Sequence, residues 1–289
     1  MRSRSRSSSS RAASDLRLRT LKLTIAYDGT RYAGWQAQAK SRQLRPTIQE
    51  TLERALRTIL REPVRVVASG RTDAGVHAEA QVAHLRVRSA IAPERLLRGV
   101  NHLLPQDVAV IRIEPAPRRF HARFDAAGKR YRYRVFTGPV IPPFIRPYVH
   151  HVRAPLNVAL MRREAAALRG PHDFRAFARL PGPAVDRAGA GGSRDRRAGA
   201  RLPARRRAPR TARSISAVAL RRKGPELLLD IEGNGFLHMM VRSIAGTLID
   251  VGRGRLPPGT VRRMLATGAR RLAGTTAPAK GLALMQVTY

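Results

Sequence analysis

The segment GRTDAGVHA (70–78) holds an arginine, a threonine and an aspartate between two glycines, with His77 two residues after the second. Acids are scarce here: the 289-residue chain has 56 Lys+Arg against 19 Asp+Glu. Gly70 and Gly75 open backbone conformations closed to other residues, and a short aspartate in such a turn is often only an Asx-turn residue. The alternative is a positioned carboxylate, able to attack a carbon or take a proton. Arg71, two residues from Asp73, favours its ionised form and is suited to phosphate contact or base stacking. Three further groups carry chemical potential. Tyr131 and Tyr133 alternate with arginines in KRYRY (129–133), a pattern that offers rings for bases and cations, including Arg130 and Arg132, for phosphates. Aromatic residues also simply prefer strands. Arg242 lies within the apolar run FLHMMVRSIAGTL (236–248), where a charge is costly unless paired. Asp73 is the candidate partner, and snorkelling to solvent is the other reading.

The histidines 77, 84, 121 and 238 have no metal-ligand spacing, and a structural or RNA-contacting role is favoured for them. There is no cysteine, so thiolate metal sites and cysteine nucleophiles are excluded. Neither a P-loop nor a GxGxxG appears, so no cofactor is expected. The formal net charge is +37. Two arginine-rich segments, 1–19 and 184–213, inflate it, but the remainder is still strongly basic. That points to a polyanionic partner, nucleic acid first. No apolar run approaches the ~20 residues of a membrane span, and none resembles a secretory signal. A cytoplasmic location is expected, with an organellar transit segment at 1–19 as the alternative.

Elements that would position these residues follow from periodicity. Strands are predicted at 21–27, 64–68, 81–87 and 107–114, with helices at 46–61 and 93–104. The order is β-α-β-β-α-β. The second half repeats it: strands at 129–136, 214–222, 226–233 and 282–289, helices at 156–170 and 235–252, and a short extra helix at 257–268. The expected fold is α+β: two ferredoxin-like (RRM-like) halves, each an antiparallel sheet with helices on one face, and a cleft between them. The domains would be a disordered basic tail (1–19), an N-terminal domain with the catalytic loop (20–125) and a C-terminal domain (126–289), with a disordered basic insertion at 178–213.

Seven blocks in order, AYDGTRYAGWQAQ (26–38), GRTDAGVHA (70–78), VNHLLPQDV (100–108), FHARFDAAGKRYRY (120–133), HDFRAF (172–177), GNGFLHMMVRSIAGTLIDVGRG (233–254) and AGTTAPAKGLAL (273–284), resemble the tRNA pseudouridine synthase A family. The resemblance covers residues 20–289. It implies isomerisation of uridine to pseudouridine in the tRNA anticodon stem-loop (family positions 38, 39 and 40) by a homodimer without cofactor or metal. Asp73 would be the catalytic aspartate, Tyr131 the tyrosine stacked on uracil and Arg242 the basic partner of Asp73. Arg71, His77, Arg130, Arg132 and Tyr133 would contact RNA. The chain departs from the family in reading HMMVRS where many members have HHMVRN, and in its 178–213 insertion. Two rival classes fit less well. A non-catalytic RNA-binding protein does not explain a carboxylate in a basic site. A carboxylate-dependent hydrolase calls for more acids near Asp73.

Overall fold

The computed structural model describes residues 18–36, 45–180 and 211–289. Most of the expected 1–19 tail and of the 178–213 insertion lies outside the described residues. Residues 178–180 and 211–213 are within them, and a strand already begins at Ala212, so the structured chain encroaches on the expected insertion from both sides.

In chain order the elements are β1 (Arg19–Tyr27), α1 (Ile48–Leu60), β2 (Val67–Ala68), β3 (His77–Val87), α2 (Pro93–Leu103), β4 (Val108–Ala116), β5 (Gly128–Phe136), β6 (His150–His151), α3 (Val158–Ala166), β7 (Gly170–Asp173), β8 (Ala212–Lys223), β9 (Glu226–Gly233), α4 (Met240–Gly252), α5 (Thr260–Thr267) and β10 (Leu282–Thr288). Local chemistry sets their ends. Thr47 and Glu50 form the expected capping box on α1: Thr47 Oγ1 accepts the Glu50 N–H at 3.2 Å, and Glu50 Oε2 accepts the Thr47 N–H at 3.0 Å. Pro93 opens α2. The alternation in β1 buries Leu21, Leu23 and Ile25 completely. None of the described helices is long and apolar enough to cross a membrane.

The expected α+β composition holds, but not as two separate sheets. The strands form one large, mostly antiparallel sheet, in the order β4-β1-β3-β10-β5-β9-β8-β7, with β2 on β3 and β6 on β5. The joint is β10. It runs antiparallel to β5 and parallel to β3, pairing Ala283 with His77 and Leu284 with Ala78. The physical reason lies in β2. It is two residues long and covers β3 only at Ala83 and His84, so the backbone groups at the start of β3 would be unpaired without another strand.

All five helices contribute to a single core with one face of this sheet, including Tyr131, Tyr133, Val135, Leu229, Ile231 and Leu284. The strand positions of opposite parity carry ion pairs. Arg132 and Arg221 both hold Asp230, at 2.7 and 2.5 Å, and Arg134 meets Glu226 at 2.9 Å. Burial pushes the Asp230 carboxyl up, but the two guanidiniums outweigh it and hold it below the usual carboxylate range.

Helix α4 begins at Met240 rather than at 235, as periodicity predicts. Met239 takes a left-handed conformation (φ 61°), which an α-helix cannot contain. The body of α4 is almost wholly buried, and Gly246 lets the 275–277 segment lie directly against it. A Cβ there would stand 1.7 Å from the Thr275 carbonyl oxygen. Gly246→Ala is therefore expected to destabilise the protein by about 2 kcal/mol or more, since overpacking against backbone has no soft neighbour to absorb it. Urea unfolding checks this, and an unchanged midpoint would show that the 275–277 segment yields freely.

Candidate active site

Asp73 stands in the loop between β2 and β3, and the loop is held from several directions. Its entry is fixed by Ser69, whose hydroxyl hydrogen-bonds Gln81 Oε1 at 2.8 Å, while Gln81 Nε2 donates to the Gly70 carbonyl at 3.0 Å. Lys129, at the start of β5, donates from Nζ to the Ser69 carbonyl at 2.7 Å. In the loop's centre, Thr72 Oγ1 pairs with the Tyr27 hydroxyl at 2.8 Å, and the Trp35 N–H donates to the Thr72 carbonyl at 3.0 Å. The exit is a turn closed by the Val76 N–H on the Asp73 carbonyl, at 3.1 Å, with Gly75 at φ 77°. That positive φ is why glycine is needed there.

The Asp73 carboxylate meets two groups from the other half of the chain. Arg242 Nη1 donates to Oδ2 at 3.0 Å. His238 Nε2 lies 3.4 Å from Oδ1. Arg242 is itself oriented, since its Nε donates to the Ala277 carbonyl at 2.9 Å and the Ala277 N–H returns to the Arg242 carbonyl at 3.1 Å. The pairing of Arg242 with Asp73, suspected from an arginine in an apolar run, is therefore present, and snorkelling is not the solution adopted. The left-handed Met239 separates His238 from the helix carrying Arg242. Such a conformation in a non-glycine residue is uncommon and concentrates at functional sites.

Tyr131 is buried on the core face of β5, near enough to Asp73 for that charge to act on its phenol. Its ring meets Phe236 edge to face, with centroids 5.1 Å apart at 83°. Burial, followed by neighbouring Tyr27 and Asp73, pushes its phenol well above the ordinary tyrosine value. Burial likewise pushes the Tyr27 hydroxyl up to about 12.

The residues expected to contact RNA separate into two groups. Arg71 and Arg130 are exposed, and neither makes an ion pair among the described residues. The other three need correction. Tyr133 is fully buried and its hydroxyl donates to the Pro278 carbonyl at 2.9 Å, so it presents no ring to a base. Arg132 points to the opposite side of the strand from Tyr131 and is consumed by Asp230. His77 is buried with Nδ1 3.1 Å from Asp28 Oδ1, and its ring meets Tyr148 edge-on at 5.2 Å. Burial holds its imidazole below the usual range despite Asp28. A recess of about 680 Å³ is lined by Asp28, His77, Arg132, Arg134, Tyr148 and Glu226, but by neither Asp73 nor Tyr131.

Sequence reasoning gave no site role to Lys129 or Phe236 and left His238 undivided between structure and RNA. The spacing of His238 and Arg242, four apart, suggests one helical face, yet it is the break in the helix between them that sets their placement.

The profile of the family described as tRNA pseudouridine synthase matches residues 23–125 and 192–289. The chain belongs to this family. Its members isomerise uridine to pseudouridine in tRNA, which makes the chain an isomerase. Among relatives named tRNA pseudouridine synthase A, that of Pelobacter propionicus is 41% identical over 272 residues, 94% of this chain and 100% of the relative. Those of Moorella thermoacetica and Geobacter sulfurreducens are also 41% identical, over 93% and 94% of this chain and 99% and 100% of their own length. A crystal structure of a Cbf5-Nop10-Gar1 complex overlaps 91% of this chain and 48% of that chain at 13% identity, with a TM-score of 0.32, too low to argue from.

Within the synthase, Lys129 is a cation at the foot of the Asp73 loop. Burial, then the nearby charges of Arg123 and Arg213, push its ammonium down to about 8. An unfolded lysine keeps its proton to about 10.4, so between these values the unfolded chain binds more protons and stability rises with pH. The stability of wild type minus that of Lys129→Met is expected to increase from pH 8 to pH 10. Urea titrations at both values measure it, and a pH-independent difference would remove Lys129 from this window.

Proposed function

We propose that this isomerase acts on the anticodon stem-loop of tRNA, at positions 38, 39 and 40, with Asp73, Tyr131 and Arg242 as its catalytic residues. The observation that carries the assignment is the Asp73–Arg242 contact of 3.0 Å, made by a loop held on both sides and near the buried Tyr131. A carboxylate in so basic a protein needs a cation to approach RNA, and it has one.

The reaction breaks N1–C1′ and makes C5–C1′. The proton on C5 leaves and N1 gains one, so nothing is oxidised or reduced. The target base must leave its stack to turn, at a cost of a few kcal/mol. Arg71, exposed in the same loop as Asp73, holds the backbone while it does so. Arg242 occupies Oδ2, while Oδ1 has only the exposed His238 Nε2, at 3.4 Å, beside it and is the oxygen that meets the ribose. Two routes start there: attack on C1′ to give a glycosyl ester, or removal of the C2′ proton to give a glycal. Tyr131, kept protonated by burial, supports the detached uracil from below.

The same reading takes the chain as two ferredoxin-like halves, 20–125 and 126–289, fused through β10. The strand orders β4-β1-β3-β2 and β10-β5-β9-β8 support it. A homodimer is proposed as the working unit. Exposed Ile111, Val140 and Phe144 provide apolar surface for association. The proposed location is the cytoplasm, where a chain without cysteine is at no disadvantage.

Asp73→Asn keeps the shape and the Arg242 contact but removes the anionic oxygen. It is expected to lower the rate at least ~1000-fold, as loss of a nucleophile or base does, while tRNA affinity stays within a few-fold. Release of tritium from C5-labelled uridine in tRNA reads the chemistry. Undiminished release by purified D73N would remove Asp73 from the mechanism.

A further inference from the structure

The turn at 120–125, between β4 and β5, takes no part in the chemistry above, yet it displays an exposed phenylalanine on a rigid base. Phe124 is 75% exposed. The His121 carbonyl accepts the N–H groups of Phe124 and Asp125 at 3.1 and 3.0 Å, and His121 Nδ1 accepts those of Arg123 and Phe124 at 3.2 and 3.3 Å. Asp125 Oδ2 closes the turn by accepting the His121 N–H at 2.9 Å. Beneath, Phe120 and Ala122 are buried against Val82, and the Ala122 N–H donates to His84 Nδ1 at 3.1 Å.

The surroundings of the ring are cationic and aromatic. The His121 ring lies 4.3 Å from that of Phe124, inclined by 31°, and the Arg123 guanidinium stands 5.8 Å from its centroid. Arg123 is close enough to act on both Lys129 and Arg213. Lys129 in turn holds the Ser69 carbonyl at the foot of the Asp73 loop. Phe144, though 92% exposed, has neither a ring beside it nor a cation over it among the described residues. An apolar ring with cations at its rim matches a ligand that joins a planar base to a phosphate, and a preorganised turn lowers the cost of binding it.

We infer that Phe124, with His121 and Arg123, is a stacking site for an unpaired base of the bound tRNA, outside the pocket that takes the target uridine. Arg123 and Arg213 contact the phosphates that flank this base. The assignment rests on the tRNA-modifying reading above and extends it to a second nucleotide beside the catalytic loop.

The test measures affinity for an unmodified tRNA transcript by filter binding, in an Asp73→Asn background so that turnover does not alter the RNA. Phe124→Ala is expected to weaken binding about tenfold with the salt dependence unchanged. Arg123→Ala is expected to weaken it and to reduce the salt slope by about one. Phe124→Trp is expected to keep parental affinity, and its added indole emission, compared with the parent containing only buried Trp35, should be quenched by the transcript. If Phe124→Ala is poorly folded, the Trp quenching decides alone. Affinity of F124A within twofold of its parent, together with unquenched F124W, would overturn the proposal. So would unchanged affinity accompanied by loss of a dimer in F124A, which would make the ring a protein contact. Pseudouridine formation by the wild type is assayed in parallel. Its absence would sink the catalytic reading while leaving the stacking comparison interpretable.

Discussion

The contact between Asp73 and Arg242 is the constraint around which the molecule is arranged. The two residues are 169 positions apart. Each is largely shielded from water, so neither is comfortable alone: losing one partner strands the other. Holding them at 3.0 Å requires the β2–β3 loop to be fixed from one half of the chain and the start of α4 from the other. The anchors described above do this. Tyr27, Trp35 and Gln81 secure the loop, Ala277 orients the guanidinium, and Lys129 reaches across to the loop's base. The seam between the halves is thus also the place where the chemistry sits.

Division of labour between the two sides of the sheet follows from the same placement. The helix-covered side holds Tyr131, Phe236 and the ion pair, with Arg71 exposed at the loop beside them. The other side neutralises its own charge through Arg132–Asp230–Arg221 and Arg134–Glu226. A basic protein that left every arginine unpaired would bind polyanions everywhere and in no register. Pairing cations on one face reduces its pull on a polyanion, while Arg71 stays exposed in the Asp73 loop.

Much of this was legible in the sequence because it is local. Strand alternation, the Thr47–Glu50 box and the glycines of the Asp73 loop are encoded within a few residues of where they act. The Arg242–Asp73 pair was also legible, since a buried arginine demands an acid and few acids are on offer. What could not be read depends on distant chain. The union of the sheets by β10 is invisible without knowing that β2 is too short to cover β3. His238 reaches Asp73 only because Met239 breaks the helix. The inward turn of Tyr133 is itself legible: alternation sends Tyr131 and Arg132 to opposite sides, and Tyr133 shares its side with Val135, which is core.

The position of β10 has a consequence for how the protein is made. Residues 282–288 leave the ribosome after every other described strand and helix, yet they occupy the middle of the sheet, between β3 and β5. Until they emerge, the first half has an open edge at His77–Ala78 and the second has one along β5, and Lys129 has no fixed seam to bridge. The nascent chain therefore carries two sticky edges until β10 emerges, and the seam that holds Asp73 against Arg242 closes only then. The Asp73 carboxylate thus has no fixed arginine until β10 has emerged to join the halves.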